Sequence, residues 1–176
     1  MGYNEAIIMH MAVGTSLFII VPTSIRSAVQ HRSRDAFDNI VFKRWFFPLA
    51  FGALLGSVIA SFLSFKILTL FFAVIAGIVS IQMLLNQKET KLPSVIFSIA
   101  PFFIGIISAM MGIGGGTLSV PVMNFSGIEI KKAIGTSAAF GTVIAIPASI
   151  GFMIGGFSQS SLLPPFSLGY INWLFF

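Results

Sequence analysis

Apolar stretches alternate with short polar segments along the chain, and their lengths set the first expectation. Ile7 to Gln30, Phe46 to Ser64, Ile67 to Leu85, Ser94 to Met111 and Ala133 to Phe157 each approach or exceed the ~20 residues a helix needs to cross a bilayer. Between them lie a charged segment holding His31, Arg32, Arg34, Asp35, Asp38, Lys43 and Arg44, a tight turn at Lys66, and polar loops from Asn86 to Pro93, Gly127 to Lys132 and Ser158 to Pro165. Tyr170 to Phe176 opens a further apolar run. The pattern predicts an all-α, polytopic transmembrane helical bundle.

One stretch breaks the pattern. Gly112 to Pro121 reads Gly-Ile-Gly-Gly-Gly-Thr-Leu-Ser-Val-Pro, where an apolar run ought to continue as helix. Gly114, Gly115 and Gly116 present bare backbone and permit positive φ, so they predict an interruption. Pro121 lacks an N–H and disfavours helical backbone at Val120. At membrane depth such breaks occur only where protein or a wet cavity satisfies the freed polar groups. Pro22 and Pro147 predict bends in the first and fifth spans.

Two blocks recur in order. Ala12-Val13-Gly14-Thr15-Ser16 returns as Ala133-Ile134-Gly135-Thr136-Ser137, and Val21-Pro22-Thr23-Ser24-Ile25 returns as Ile146-Pro147-Ala148-Ser149-Ile150. A third match pairs Trp45-Phe46-Phe47 with Trp173-Leu174-Phe175. These matches predict two homologous transmembrane repeats, residues 1–90 and 91–176, arranged around a central site as in many transporters. Extrapolating the repeat puts a partner for the glycine break upstream of Met1 and a partner for the second span from about Leu174, so the pattern predicts a longer protein with one more span before and about two after, the alternative being a complete small protein of five or six spans.

Composition strengthens the membrane assignment. Hydrophobic residues make up 56% of the chain and charged ones 9%, too little polar surface to cover a soluble domain. The net charge of +5 comes from ten Lys and Arg against five acids. Most of these lie between spans, which suits topology signals and lipid head groups and leaves no basic, aromatic-interleaved surface for nucleic acid. Arg26, Arg32, Arg34, Lys43, Arg44, Lys88 and Lys91 fall on one side by alternate counting and Lys66, Lys131 and Lys132 on the other, so the first set is expected to face the cytoplasm; a re-entrant break at Gly114 would change which side the later loops occupy. Cysteine is absent, which removes disulfides, thiolate catalysis and Cys-based metal sites. Met1 to Glu5 has no positive n-region of a signal peptide.

The residues are similar to those of the sulfite exporter TauE/SafE family of bacterial anion permeases. The resemblance rests on Gly112 to Pro121, on Gly14-Thr15-Ser16 with Gly135-Thr136-Ser137, and on the small-residue helix from Gly52 to Ser57. It implies about eight spans in two homologous halves, a place in the bacterial inner membrane, and movement of small anions such as sulfite, sulfonates or related sulfur oxyanions.

The candidate chemistry is anion binding without a buried cation. Helix N-termini and consecutive backbone N–H groups supply positive potential. Gly114, Gly115, Gly116 and Thr117 are therefore expected to bind substrate, with Thr15, Ser16, Thr136 and Ser137 adding hydroxyls and Gly14 and Gly135 allowing close helix contact. The expected arrangement has the break facing Gly-Thr-Ser turns from both halves; the alternative is that these small residues merely let helices pack. Arg26 is read as snorkelling toward the charged loop. His10 is read as an interface histidine rather than a proton shuttle. A phosphate loop fails because Thr117-Leu118 follows Gly116, and a dinucleotide fingerprint fails at Thr117. No acid pair or Ser-His couple lies within the spans, so an enzyme is not expected, nor a cofactor or metal. The expected function is secondary transport of a small anion by alternating access, with a coupling ion (proton or sodium) left open. The rival readings are an anion channel component and a non-transporting membrane subunit.

Overall fold

The computed structural model describes residues 5–84, 93–157 and 163–173. The loop expected from Asn86 to Pro93, with Lys88 and Lys91, lies outside them except for Pro93, as do residues 158–162 and 174–176. Among the described residues the chain forms α1 (Glu5–Arg32), α2 (Asn39–Phe62), α3 (Phe65–Leu84), α4 (Ser94–Met111), α5 (Gly116–Phe125), α6 (Ile130–Phe157) and a two-stranded hairpin, β1 (Ser167–Leu168) with β2 (Ile171–Asn172). Four of the helices, α1, α2, α4 and α6, are long and apolar enough to cross a membrane, and where a third span was expected from Ile67 to Leu85, α3 offers a shorter apolar stretch, Phe65–Ile78, among the described residues. This is an all-α membrane bundle, as the pattern predicts.

The core is made by α1, α2, α4 and α6. Glycine brings α2 and α4 into backbone contact: a Cβ at Gly52 would overlap Phe102 O, and one at Gly105 would overlap Leu49 O. The Gly52-x-x-x-Gly56 spacing therefore serves the close packing that sequence suggests. Trp45 is fully buried and stacks on Phe140 of α6, with ring centroids 5.6 Å apart. The second span starts earlier than Phe46. Asp38 caps α2, its carboxylate accepting from Ile40 N at 2.9 Å and Val41 N at 3.0 Å, so Lys43 and Arg44 sit in the first turns of the helix rather than in a loop. Arg44 then reaches Ser98 of α4 at 2.6 Å.

Pro22 and Pro147 do not end their helices, which run on through both positions. Neither are Gly14-Thr15-Ser16 and Gly135-Thr136-Ser137 turns. Both triplets lie inside continuous helix, and close packing rather than chain reversal is what their glycines permit. Of the apolar run expected from Tyr170 to Phe176, Tyr170, Ile171 and Asn172 belong to the hairpin, and residues 174–176 lie outside the described residues. The hairpin tucks beneath α6, where Gly156 leaves room for Gly169 and Tyr170, and Tyr170 N donates to Phe152 O at 3.2 Å.

Contacts at the helix ends give the path of α4 and α5. Ser98 beside Arg44 puts the start of α4 at the α2 N-terminal end. Gly135 packs on Ala36 and His31, which puts the start of α6 at that same end. The chain from Ser94 to Ile130 therefore enters and leaves at one end of the bundle, turning back through residues 112–115. Lys131 and Lys132, expected opposite Arg32 and Arg34, share their end. Among the described residues Lys66 is then the basic residue at the far end. Counting by alternate sides failed because it took Ser94 to Met111 as a crossing and left out the return of the chain through the break and α5.

Candidate anion-binding cleft at the glycine break

The break begins with a helix stop. Gly112 is left-handed (φ 66°), and Ile113 N donates back to Ser108 O at 3.2 Å, the six-to-one bond of a Schellman cap. Positive φ is thus needed at Gly112, whereas Gly114, Gly115 and Gly116 keep ordinary backbone angles. Gly115 sits at the N-terminus of α5 with no side-chain cap, and the first intrahelical bond of α5 is Ser119 N to Gly115 O at 3.1 Å. The amides of Gly116, Thr117 and Leu118 therefore have no partner in their own helix. They stand at the positive end of its dipole.

The three glycines do different things. A Cβ at Gly115 would lie 2.8 Å from Phe140 Cβ and 3.1 Å from Ile144 Cδ1, so packing on α6 demands glycine there. A Cβ at Gly114 would find nothing nearer than Ile20 Cγ2 at 3.6 Å, and one at Gly116 nothing nearer than Ser137 Oγ at 3.7 Å. Packing does not demand glycine at either.

Both positions open into a cleft of about 380 Å³ between α1, the break and α6. Its polar lining comes from Thr23, Ser24 and Ser27 of α1, from Gly114, Gly115, Gly116 and Thr117, and from Ser137 of α6. No carboxylate or amine is among these lining groups. Ser24 Oγ and Thr142 Oγ1 are 2.7 Å apart, joining α1 to α6 beside the cleft, where Gly141 lets the two helices meet. The α1 residues belong to its C-terminal half and Ser137 to the N-terminal half of α6, so the cleft lies toward the basic end of the bundle. The uncapped helix start favours an anion over a cation, while the hydroxyls of Thr23, Ser24 and Ser137 already donate to the carbonyls of Ile19 and Ile20, Val21 and Ile134.

The candidate residues divide accordingly. Gly114, Gly115, Gly116, Thr117 and Ser137 come together in the cleft. Ser16 touches the break from the α1 side, its hydroxyl donating to Gly112 O at 2.9 Å, and with Thr15 it lines a separate apolar cavity on α1. Thr15 and Thr136 serve the backbone. Asn172 N donates to Thr15 Oγ1 at 3.1 Å, and Asp38 N donates to Thr136 Oγ1 at 2.8 Å. Their neighbours match: a Cβ at Gly14 would meet Tyr170 O at 2.9 Å, and one at Gly135 would overlap Ala36 O. Each Gly-Thr pair thus seats a chain segment running into an Asx residue, a glycine against one carbonyl and a threonine beneath the amide two residues on.

Sequence reasoning missed Thr23, Ser24, Ser27 and Gly141 as cleft residues. The recurring Pro-Thr-Ser-Ile and Pro-Ala-Ser-Ile blocks held the signal for Thr23 and Ser24. Arg26 is exposed on α1, in keeping with a snorkelling side chain. His10 is buried within the bundle. It is 4% exposed, its Nε2 lies 3.0 Å from both Ala60 O and Leu63 O at the end of α2, and its ring stacks on Tyr170. No group of three or more His, Cys, Asp or Glu suited to a metal occurs among the described residues.

Comparison with known proteins adds an independent line. A family model described as "Sulfite exporter TauE/SafE" matches residues 3–175. A Haemophilus influenzae protein named "Probable membrane transporter protein" is 34% identical over 95% of this chain and 65% of its own length. Proteins of the same designation from Methanocaldococcus jannaschii and Bacillus subtilis are 26% and 22% identical, over 92% and 94% of this chain and 61% and 64% of their own lengths. The chain thus spans a little under two thirds of the curated relatives it matches. No solved structure matches it.

Proposed function

The chain belongs to the sulfite exporter TauE/SafE family, and from that premise we propose that it forms the anion-binding part of a secondary transporter for a small oxyanion such as sulfite or a sulfonate. The observation that carries this reading is the uncapped N-terminus of α5, bare at Gly114 and Gly116 where packing leaves room for a side chain, facing a hydroxyl-lined cleft. An oxyanion in the cleft accepts from the amides of Gly116 and Thr117 and from the hydroxyl of Thr117, and from that of Ser137 once it turns from Ile134 O, to which it donates at 2.8 Å. Fixed backbone dipoles replace its hydration shell, so no buried Lys or Arg has to be desolvated. The basic end gathers anions at the mouth of the cleft and, by the positive-inside rule, faces the cytoplasm of a bacterial inner membrane. The seating of Asp38 and Asn172 by Thr136 and Thr15 supports descent of residues 1–90 and 91–176 from one repeat.

Anion-dependent thermal stabilisation of the purified protein in detergent tests the reading. A ligand held at 100 times its Kd stabilises the folded state by about 2.7 kcal/mol. Sulfite, sulfate, thiosulfate, taurine and sulfoacetate are compared with chloride. The expected result is a rise in melting temperature with at least one sulfur anion over chloride, abolished by Gly116→Leu, which fills the cleft. A shift unaffected by that substitution would put the ligand elsewhere.

A further inference from the structure

Behind the break lies a second cavity, of about 230 Å³, bounded by α3, α4 and α5. It is lined by Ile75, Ala76, Ser80, Ser108, Met111 and Leu118, and it shares Ile113 and Thr117 with the anion cleft. The break therefore stands between the two spaces, with Ile113 and Thr117, on either side of the glycines, facing both. Packing does not pin the break at Gly114, where the nearest atom to a built Cβ is 3.6 Å away, and does pin it at Gly115.

The second cavity carries its own sign of a ligand. Ser108 is 1% exposed, and its hydroxyl has no hydrogen-bond partner. A buried hydroxyl left unpaired costs about 1–3 kcal/mol, and replacing it with alanine would remove that penalty. The hydroxyls of Ser80 and Thr117 line the same space, and Ser80 spends its proton on Ala76 O while keeping acceptor capacity. At ~30 Å³ per water the volume holds about seven waters, enough for a small oxyanion with part of its hydration shell.

We propose that this cavity is a second anion-holding chamber on the transport path, with Ser108 as its receiving hydroxyl and the segment from Ile113 to Thr117 as the partition the substrate passes. The proposal rests on the cleft being the first anion site. Passage needs the partition to swing by the width of a small ion, and Gly114, which packing does not pin, gives it the backbone freedom to do so, while Gly112 stays held by its cap and by Ser16. Thr117, common to both linings, hands the ion from one set of donors to the other.

The absence of cysteine makes the test direct. Ser108→Cys, Ser137→Cys and Leu70→Cys each introduce a single thiol, in the chamber, in the cleft and on the exposed face of α3 respectively. Each is reconstituted in nanodiscs and treated with an anionic, membrane-impermeant thiosulfonate, with or without sulfate, taurine or sulfoacetate. The expected result is labelling of Ser108→Cys and Ser137→Cys, slowed several-fold by the same anion, and none of Leu70→Cys. Protection at Ser137→Cys with no labelling at Ser108→Cys, or with labelling no anion slows, would overturn the chamber and leave the cleft standing. Loss of protection at both would overturn the cleft as well. Ser108→Ala supplies a second readout. It is expected to melt no lower than wild type yet lower anion flux several-fold in proteoliposomes, whereas wild-type flux would contradict the proposal.

Discussion

Replacing Gly114, Gly115 and Gly116 one at a time by alanine separates packing from function. At Gly115 the new Cβ falls 2.8 Å from Phe140 Cβ, 3.1 Å from Ile144 Cδ1 and 3.2 Å from Phe140 C. One of these is backbone, so α5 must move off α6, and overpacking of this kind costs about 1–3 kcal/mol. At Gly116, inside the first turn of α5, the nearest atom is 3.7 Å away. Alanine fits there and recovers about 0.5–1 kcal/mol of helix propensity. At Gly114 the nearest atom is at 3.6 Å, so little change in stability is expected. Function should follow the opposite order. A methyl group at Gly114 or Gly116 projects toward the space an oxyanion needs to reach the backbone amides, so both variants are expected to lose most anion binding while remaining folded. The assay pairs melting temperature with anion-dependent stabilisation on the same preparations. Wild-type binding by both Gly114→Ala and Gly116→Ala would refute the argument that bare backbone is kept for the ligand. A Gly115→Ala protein as stable as wild type would refute the packing argument.

Other outcomes follow from the same geometry. Thr136→Val keeps the shape but leaves Asp38 N without its acceptor, and Thr15→Val does the same to Asn172 N; each should lower stability by about 1–3 kcal/mol, read by thermal melting, while Thr→Ser should restore most of it. Asp38→Ala removes the α2 cap and should cost about 0.5–2 kcal/mol, with Asp38→Asn nearly neutral. A double-mutant cycle of Ser24→Ala and Thr142→Val should give a coupling of about 0.6 kcal/mol, the usual size for an interhelical hydrogen bond in a membrane; a coupling of zero would mean the pair does not hold α1 to α6.

How much of this was legible in the sequence depends on the range of the interaction involved. The bounds of α4, Ser94 to Met111, are readable because hydrophobicity ends where Gly112 stops the helix. The small-residue spacing at Gly52 and Gly56 is readable because packing in a membrane selects it. The break is readable because glycine and proline act on their own backbone. The hairpin at residues 167–172 is not, since the same apolar residues would serve a helix and the room for it is made by Gly156 together with Gly14 and Thr15, far away in the chain. His10 gave no local clue to carbonyls 50 and 53 residues away. Thr15 and Thr136 read as ligand donors until the segments they seat are seen. The Lys131 and Lys132 side was misassigned for a related reason: hydrophobicity alone does not tell a ten-residue half-helix that turns back from the end of a full span.

The central claim is that an anion binds at the backbone of the break. Equilibrium binding of a radiolabelled sulfur oxyanion to the protein in nanodiscs, at two salt concentrations, tests it most directly on wild type, Gly116→Ala and Ser137→Ala. The account predicts saturable binding to wild type, competed by other sulfur oxyanions, weakened by Ser137→Ala and nearly abolished by Gly116→Ala in a protein that still melts at or above the wild-type temperature. Saturable binding that survives Gly116→Ala undiminished would contradict it.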